Sequence, residues 1–238
     1  MNTKTTEHHQ LFYAKLAGLS YVLFTIAGLI KNFLLNTRLS VVGEISTKGI
    51  IENVLHFRLG IFAEVFMFVA VTIASISFFF LLKPVNPRLA KTTLCFRLVE
   101  IIIGSIAVVF SMTMLALSNK TYLLEMFDLE QVHTIVAIAS SVVVPAYEYS
   151  WIFMGVAGVI TFYLLLKSRY IPKFWAIWGI ITYTSLIVYP IAKITIADLP
   201  REAMFVMFPG ALFELGVGIW LLTKGVKIPE SDISDAKP

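Results

Sequence analysis

Six ionisable residues lie inside strongly apolar stretches of this 238-residue chain: Arg58, Glu64, Arg97, Glu100, Glu148 and Glu214. A charge among hydrocarbon costs a few kcal/mol or more, so such groups turn inward and pair. Two guanidinium groups facing four carboxylates leave, if all are ionised, an excess of two negative charges. A low-dielectric interior holds that excess only if some of Glu64, Glu100 and Glu214 carry protons, or if a cation or cationic ligand completes the set. Two rival expectations stand beside this one. The six groups can instead form interhelical salt bridges that fix packing, or a carboxylate pair can serve as acid and base in an intramembrane reaction.

Other chemistry is poorly supplied. The one cysteine, Cys95, can make neither an internal disulfide nor a zinc or iron–sulfur site, and is expected to be a buried packing residue. His8 and His9 lie near the N-terminus, His56 at a helix end and His133 in an amphipathic stretch, so no two form a bis-histidine haem site. The patterns C-x-x-C-H, H-E-x-x-H, G-x-S-x-G and the phosphate-binding loop are missing from the sequence, and no lysine at mid-span suits a Schiff base. No cofactor and no metal site are expected. Tyr149, Tyr183 and Tyr189 can donate hydrogen bonds to the charged set or serve as packing and belt residues. Trp151, Trp175, Trp178 and Trp220 are expected at the interface or against lipid.

The elements that position these groups follow from composition. Hydrophobic residues make up 58% and charged residues 14%, against roughly half and roughly a quarter in soluble domains. With a mean hydropathy of +0.84, this excludes a water-soluble globule, a disordered chain, a collagen and a disulfide scaffold. A membrane-spanning helix needs about 20 apolar residues. Six runs qualify, at about 12–35, 57–82, 92–118, 147–166, 174–191 and 203–223. Helices satisfy their own backbone groups in lipid, and no alternating barrel strands occur. The first run is about twice the length of a signal-peptide core and has no clear cleavage site, so it is expected to remain as the first span. The expected fold is an all-α, polytopic membrane helix bundle: one domain over 1–230 with a short polar tail at 231–238.

Lysine and arginine set the direction of crossing. Lys4, Lys15, Lys83, Arg88, Lys91, Lys167, Arg169, Lys173, Lys224, Lys227 and Lys237 fall on one side, and Arg38, Lys48, Lys120, Lys193 and Arg201 on the other. Eleven against five predicts that both termini are cytoplasmic. The net charge of +4 reflects this bias, not a nucleic-acid surface, since no basic stripe with interleaved aromatics occurs outside the spans.

With that direction and 1.5 Å of rise per residue, depths follow. Arg58 lies at the outer mouth and Glu64 roughly 10 Å further in. Arg97 lies roughly 8 Å from the cytoplasmic side, with Glu100 one turn deeper. Glu148 is shallow, and Glu214 roughly 16 Å deep from outside. Arg58 should therefore meet Glu148 near the outer mouth, and Arg97, Glu100 and Glu214 near the midplane, with Glu64 between the layers. In the sixth run, Phe208-Pro209-Gly210 should interrupt the helix just before Glu214 and free the carbonyl of Phe205; broken helices often mark binding sites in transporters. Pro190 is similar but nearer a helix end. Gly18, Gly28, Gly104, Gly155, Gly158, Gly179, Gly216 and Gly218 permit close helix approach. The connection 36–56 reads as an external loop with a short surface helix. The stretch 122–146 reads as an interfacial helix, a re-entrant segment or the start of one long fourth helix, kinked or interrupted at Pro145.

The order and spacing of several short motifs resemble a bacterial family described only as a domain of unknown function, numbered 4386. They are Ala14-Lys15-Leu16-Ala17-Gly18, Phe57-Arg58-Leu59-Gly60-Ile61 followed by Glu64, Leu81-Leu82-Lys83-Pro84-Val85-Asn86, Phe96-Arg97-Leu98-Val99-Glu100, Ser168-Arg169-Tyr170-Ile171-Pro172, Phe213-Glu214 and Trp220-Leu221-Leu222-Thr223-Lys224-Gly225. The chain departs from the family pattern at Lys15, where arginine is commoner, and before the fourth span, where a more polar, histidine-bearing segment is usual. The resemblance implies a small inner-membrane protein of about six helices and implies no activity. From the residues themselves, the leading expectation is a non-enzymatic protein of the bacterial cytoplasmic membrane. It would bind or move a small cationic, amphipathic or proton-coupled solute, with Glu64, Glu100 and Glu214 holding the positive partner. An enzyme acting on a lipid or isoprenoid is the alternative, and an assembly factor for membrane proteins the third.

Overall fold

Apolar side chains all round a helix leave it no soluble surface, and the long apolar runs behave accordingly. A computed structural model of the chain describes residues 3–36, 40–41, 44–45, 47–119 and 127–227. The chain order is α1 (Thr3–Asn36), strands β1 (Ser40–Val41) and β2 (Glu44–Ile45), α2 (Thr47–Glu52), α3 (Val54–Leu82), α4 (Pro87–Asn119), α5 (Leu129–Ser168), α6 (Lys173–Thr195), a 3-10 segment (Arg201–Met207) and α7 (Pro209–Lys224). The fold is all-α apart from the minimal β1–β2 ribbon, in which Ser40 faces Ile45. Six helical stretches are long and apolar enough to cross a membrane: His8–Asn32, Val54–Leu82, Pro87–Ser118, Glu130–Ser168, Lys173–Thr195 and Glu202–Lys224.

Local chemistry sets the ends. The Asn86 side chain accepts the Leu89 N–H at 2.9 Å, with Pro87 in the first helical position of α4, where its missing N–H is no loss. At the start of α5 the Asp128 carboxylate accepts the Gln131 N–H at 2.8 Å, and the Gln131 side chain accepts the Asp128 N–H at 3.1 Å. This reciprocal cap satisfies two otherwise orphaned donors. At the end of α7, Gly225 takes φ 66°, a left-handed conformation that glycine adopts without steric cost.

Of the three readings of the stretch before the fourth span, the start of one long helix holds: from Leu129 the chain continues through Pro145 as a single 40-residue helix, which excludes a re-entrant segment there; residues 120–126 lie outside the described set. Membrane helices tolerate a proline because one lost bond leaves the rest of the ladder intact. In the sixth span the helix does change at Phe208-Pro209-Gly210, where a 3-10 segment gives way to the α-helix that Pro209 opens, but the Phe205 carbonyl is not freed: it accepts from the Phe208 N–H at 3.1 Å. The first long connection holds a short helix, α2. The 231–238 tail lies outside the described residues.

The chain divides into two compact units. The first comprises Met1–Thr25, Ala70–Ile101 and Ser150–Pro238, and the second Ile26–Val69 and Ile102–Tyr149. In the first, glycines let helices touch backbone to backbone. A Cβ on Gly18 of α1 would lie 2.5 Å from the Leu222 nitrogen and 2.6 Å from the Gly218 oxygen of α7. Gly158 of α5 lies against the ring of Tyr183 on α6, and Gly179 of α6 against Phe162 and Phe213. Phe162 and Phe213 meet at 5.0 Å, and Phe162 stacks on Tyr183 at 5.6 Å. Trp175 and Trp178 stack at 5.6 Å and reach Phe213, so these two tryptophans pack on α7 as well as facing outward. In the second unit, Gly104 of α4 admits the ring of Phe68 from α3, which stacks on Tyr147 at 6.3 Å.

Candidate functional site

The first unit gathers Tyr21 and Thr25 from α1, Arg97 and Glu100 from α4, Tyr183 from α6 and Glu214 from α7. Arg97 and Glu100 are one turn apart, a spacing that brings side chains together on one helix face. The Arg97 guanidinium donates through Nη1 to both oxygens of Glu100, at 3.2 and 2.9 Å, and both residues are buried. Through Nη2 it also donates to the Tyr21 hydroxyl at 3.4 Å. The Tyr21 and Tyr183 hydroxyls lie 2.8 Å apart. Tyr183 donates to Glu214 Oε1 at 3.0 Å, and the Thr25 hydroxyl, which donates to the Tyr21 backbone carbonyl at 2.8 Å, lies 3.3 Å from Glu214 Oε2.

Because a hydroxyl has one hydrogen and an ionised carboxylate only accepts, these contacts fix a direction when Glu214 is ionised. Tyr183 spends its hydrogen on Glu214, so it accepts from Tyr21, which in turn accepts from Arg97. Every donor in the chain points toward Glu214. Both tyrosines are held by their rings. Tyr21 sits edge-on to Phe24 at 4.7 Å and Phe78 at 5.4 Å, while Tyr183 lies against Phe162 over Gly158. Packing thus places both hydroxyls independently of their hydrogen bonds.

The two carboxylates differ in their partners. Glu100 is matched with a guanidinium on its own helix. Glu214, half-buried, has two hydroxyl partners, and among the described residues no lysine or arginine nitrogen lies within 4 Å of it. One cation thus faces two acids at this site. Beside it lies a small cavity lined by Tyr21, Ser75, Phe78, Thr93, Arg97 and Thr161, with room for about one water, ≈ 10 Å³ measured at the water's centre.

A second charged group lies within the second unit. Glu64, fully buried, is 3.5 Å from Lys31 Nζ and accepts a hydrogen bond from the Tyr147 hydroxyl. The Lys31 ammonium also sits 3.6 Å from the Tyr147 ring centre, a cation–π contact.

The six sequence candidates therefore separate. Arg97, Glu100 and Glu214 come together as expected, joined through the tyrosines and not by direct charge contact with Glu214. Glu64 belongs with Lys31, a charge inside the first apolar run that the two-against-four balance omits; with Lys15 of the same run also counted, the runs as a whole balance, and the imbalance is local to Glu214. The expected Arg58–Glu148 meeting does not form: Arg58 is exposed and makes no ion pair among the described residues, while Glu148 is half-buried with contacts elsewhere. Of the three tyrosines singled out from the sequence, Tyr183 joins the site; Tyr149 is exposed, and Tyr189 packs against Trp151. Cys95 is exposed and not a packing residue. Tyr21, Thr25 and Tyr147 escape sequence reasoning because polar groups in apolar runs resemble belt residues. The spacing Gly18, Tyr21, Thr25 on one helix face is the signal that could have found the first two.

Residues 16–225 match the family described as a domain of unknown function (DUF4386), and the chain belongs to that family. Comparison with curated proteins and with solved structures gives no match.

Proposed function

We propose that this multi-pass membrane protein binds and releases a proton at Glu214 and couples that step to the passage of a small solute across a bacterial cytoplasmic membrane. The supporting observation is the run of donors from Arg97 through Tyr21 and Tyr183 that ends on a carboxylate with no cation beside it. Such a carboxylate in a membrane interior needs a positive partner. The neighbouring cavity has room for about one water, which favours the smallest partner, a proton, over an organic cation. Arg97 holds Glu100 as its counter-charge, so the site's spare negative charge falls on Glu214.

The rival readings receive less support. A lipid-processing enzyme would need a lipid-sized opening onto both Glu100 and Glu214, whereas the cavity beside Arg97 has room for about one water. A purely structural role for the charges would use ion pairs to lock helices together, yet the Arg97–Glu100 pair lies within one helix, and Arg97 reaches other helices through tyrosines, the Tyr21 hydroxyl at 3.4 Å and the Tyr183 ring at 5.6 Å, not through an acid. The test is proton uptake by proteoliposomes holding the full chain under an imposed pH gradient. Glu214→Gln should abolish uptake with unchanged folded yield. Uptake equal to wild type would end the reading.

A further inference from the structure

The proton reading leaves the entry to the relay unexplained, and the cavity beside Arg97 supplies it. Arginine does not release its proton in proteins, so the donor chain cannot be refilled from Arg97. Tyr21 must draw on another donor. The cavity that Tyr21 lines also presents Thr93, which is buried with a hydroxyl that has no hydrogen-bond partner. A buried polar group left unpaired costs free energy unless water satisfies it. Two more hydroxyl-bearing residues line the same space. Ser75 donates to the Val71 carbonyl at 2.7 Å and Thr161 to the Ala157 carbonyl at 2.8 Å, so both oxygens remain free to accept. The space suits about one water molecule, which needs two to four polar partners.

We propose that this cavity is a binding site for one internal water, held by Thr93 and Arg97, that delivers protons to the Tyr21 hydroxyl. The proposal rests on the proton reading of Glu214 and names its supply. A proton arriving on the water passes to the Tyr21 oxygen as Tyr21 gives its own hydrogen to Tyr183 and Tyr183 gives its own to Glu214. One proton enters, one carboxylate is neutralised, and the water and both hydroxyls are restored. Thr93 lies one turn before Arg97 on α4, so the site extends the relay toward the Pro87 end of that helix. Tyr21, Arg97, Glu100, Tyr183 and Glu214 are the titratable groups that face this path within the unit.

The test combines a structure of the full chain at a resolution that shows ordered water with proton uptake by proteoliposomes. One water should lie within hydrogen-bond distance of Thr93 Oγ1 and of Arg97 or Tyr21. Thr93→Val should empty the site and slow uptake about tenfold, the rate equivalent of one lost hydrogen bond, while Thr93→Ser should keep both. Ala74 lines the same cavity; Ala74→Val, which fills it and leaves the Thr93 hydroxyl in place, should slow uptake as well and covers the case in which Thr93→Val fails to fold. A dry wild-type cavity overturns the proposal and leaves the Glu214→Gln result to judge the proton reading separately. A water present with uptake unaffected in Thr93→Val and Ala74→Val but abolished in Glu214→Gln also overturns it, because protons then reach Glu214 by another route.

Discussion

Replacing Tyr183 by phenylalanine separates the relay from the packing that surrounds it. The ring is fully buried, stacks on Phe162 at 5.6 Å and rests on Gly158; phenylalanine keeps all of these contacts. What is lost is one hydroxyl with two partners, Tyr21 at 2.8 Å and Glu214 at 3.0 Å. Interhelical hydrogen bonds in membrane proteins average about 0.6 kcal/mol each. Tyr183→Phe should therefore destabilise by about 1 kcal/mol, and by no more than about 3 kcal/mol if both bonds reach the strongest values seen. Tyr183→Ala, which empties the core, should cost about 3–5 kcal/mol. In detergent, Tyr183→Phe should unfold within a few degrees of wild type and Tyr183→Ala well below it. Proton uptake should nevertheless stop in Tyr183→Phe, since among the described residues no other hydroxyl joins the Tyr21 hydroxyl to Glu214; Thr25 touches Glu214 but meets Tyr21 at its backbone carbonyl. Wild-type uptake by Tyr183→Phe refutes the relay. A stability loss equal to that of Tyr183→Ala would instead make the hydroxyl a structural strut.

Three further outcomes follow from the same geometry. Glu64→Gln strands Lys31 beside a neutral partner, and breaking a buried ion pair costs about 3–5 kcal/mol; Lys31→Met combined with Glu64→Gln should recover most of the thermal stability, and a double variant no better than Glu64→Gln would show that the pair does not act as a unit. Gly18→Leu cannot be accommodated, because its Cβ would meet the α7 backbone at 2.5 Å, whereas a Cβ on Gly28 meets only the Met67 sulfur at 3.4 Å; folded yield should collapse in Gly18→Leu and persist in Gly28→Ala. The lysine and arginine bias predicts both termini on the cytoplasmic side, so reporters that work only inside the cell should be active when fused to either end, and activity of an exported reporter at either end would reverse the topology.

Much of this protein is legible one residue at a time. A run of about 20 apolar residues can satisfy its backbone in lipid only as a helix, so six spans, an all-α fold and membrane residence follow from composition and run length. The cost of a buried charge singles out Arg97, Glu100 and Glu214 without knowledge of any contact. Partnership is another matter. Lys31 stands near the end of its span, where a lysine ordinarily reaches out to the headgroups, and only the approach of Glu64 and Tyr147 turns it inward. Tyr21 and Tyr183 are separated by 162 positions, and no local pattern says that their hydroxyls meet. Pro209 marks a change in the helix, yet whether it kinks a helix or begins one depends on the 3-10 turn before it. Length and hydropathy are sums over neighbours in the chain, and the sequence contains them in full. Which acid keeps a cation and which is left with hydroxyls depends on distances between helices, and those are set when glycines such as Gly18, Gly158 and Gly179 let particular faces close on one another.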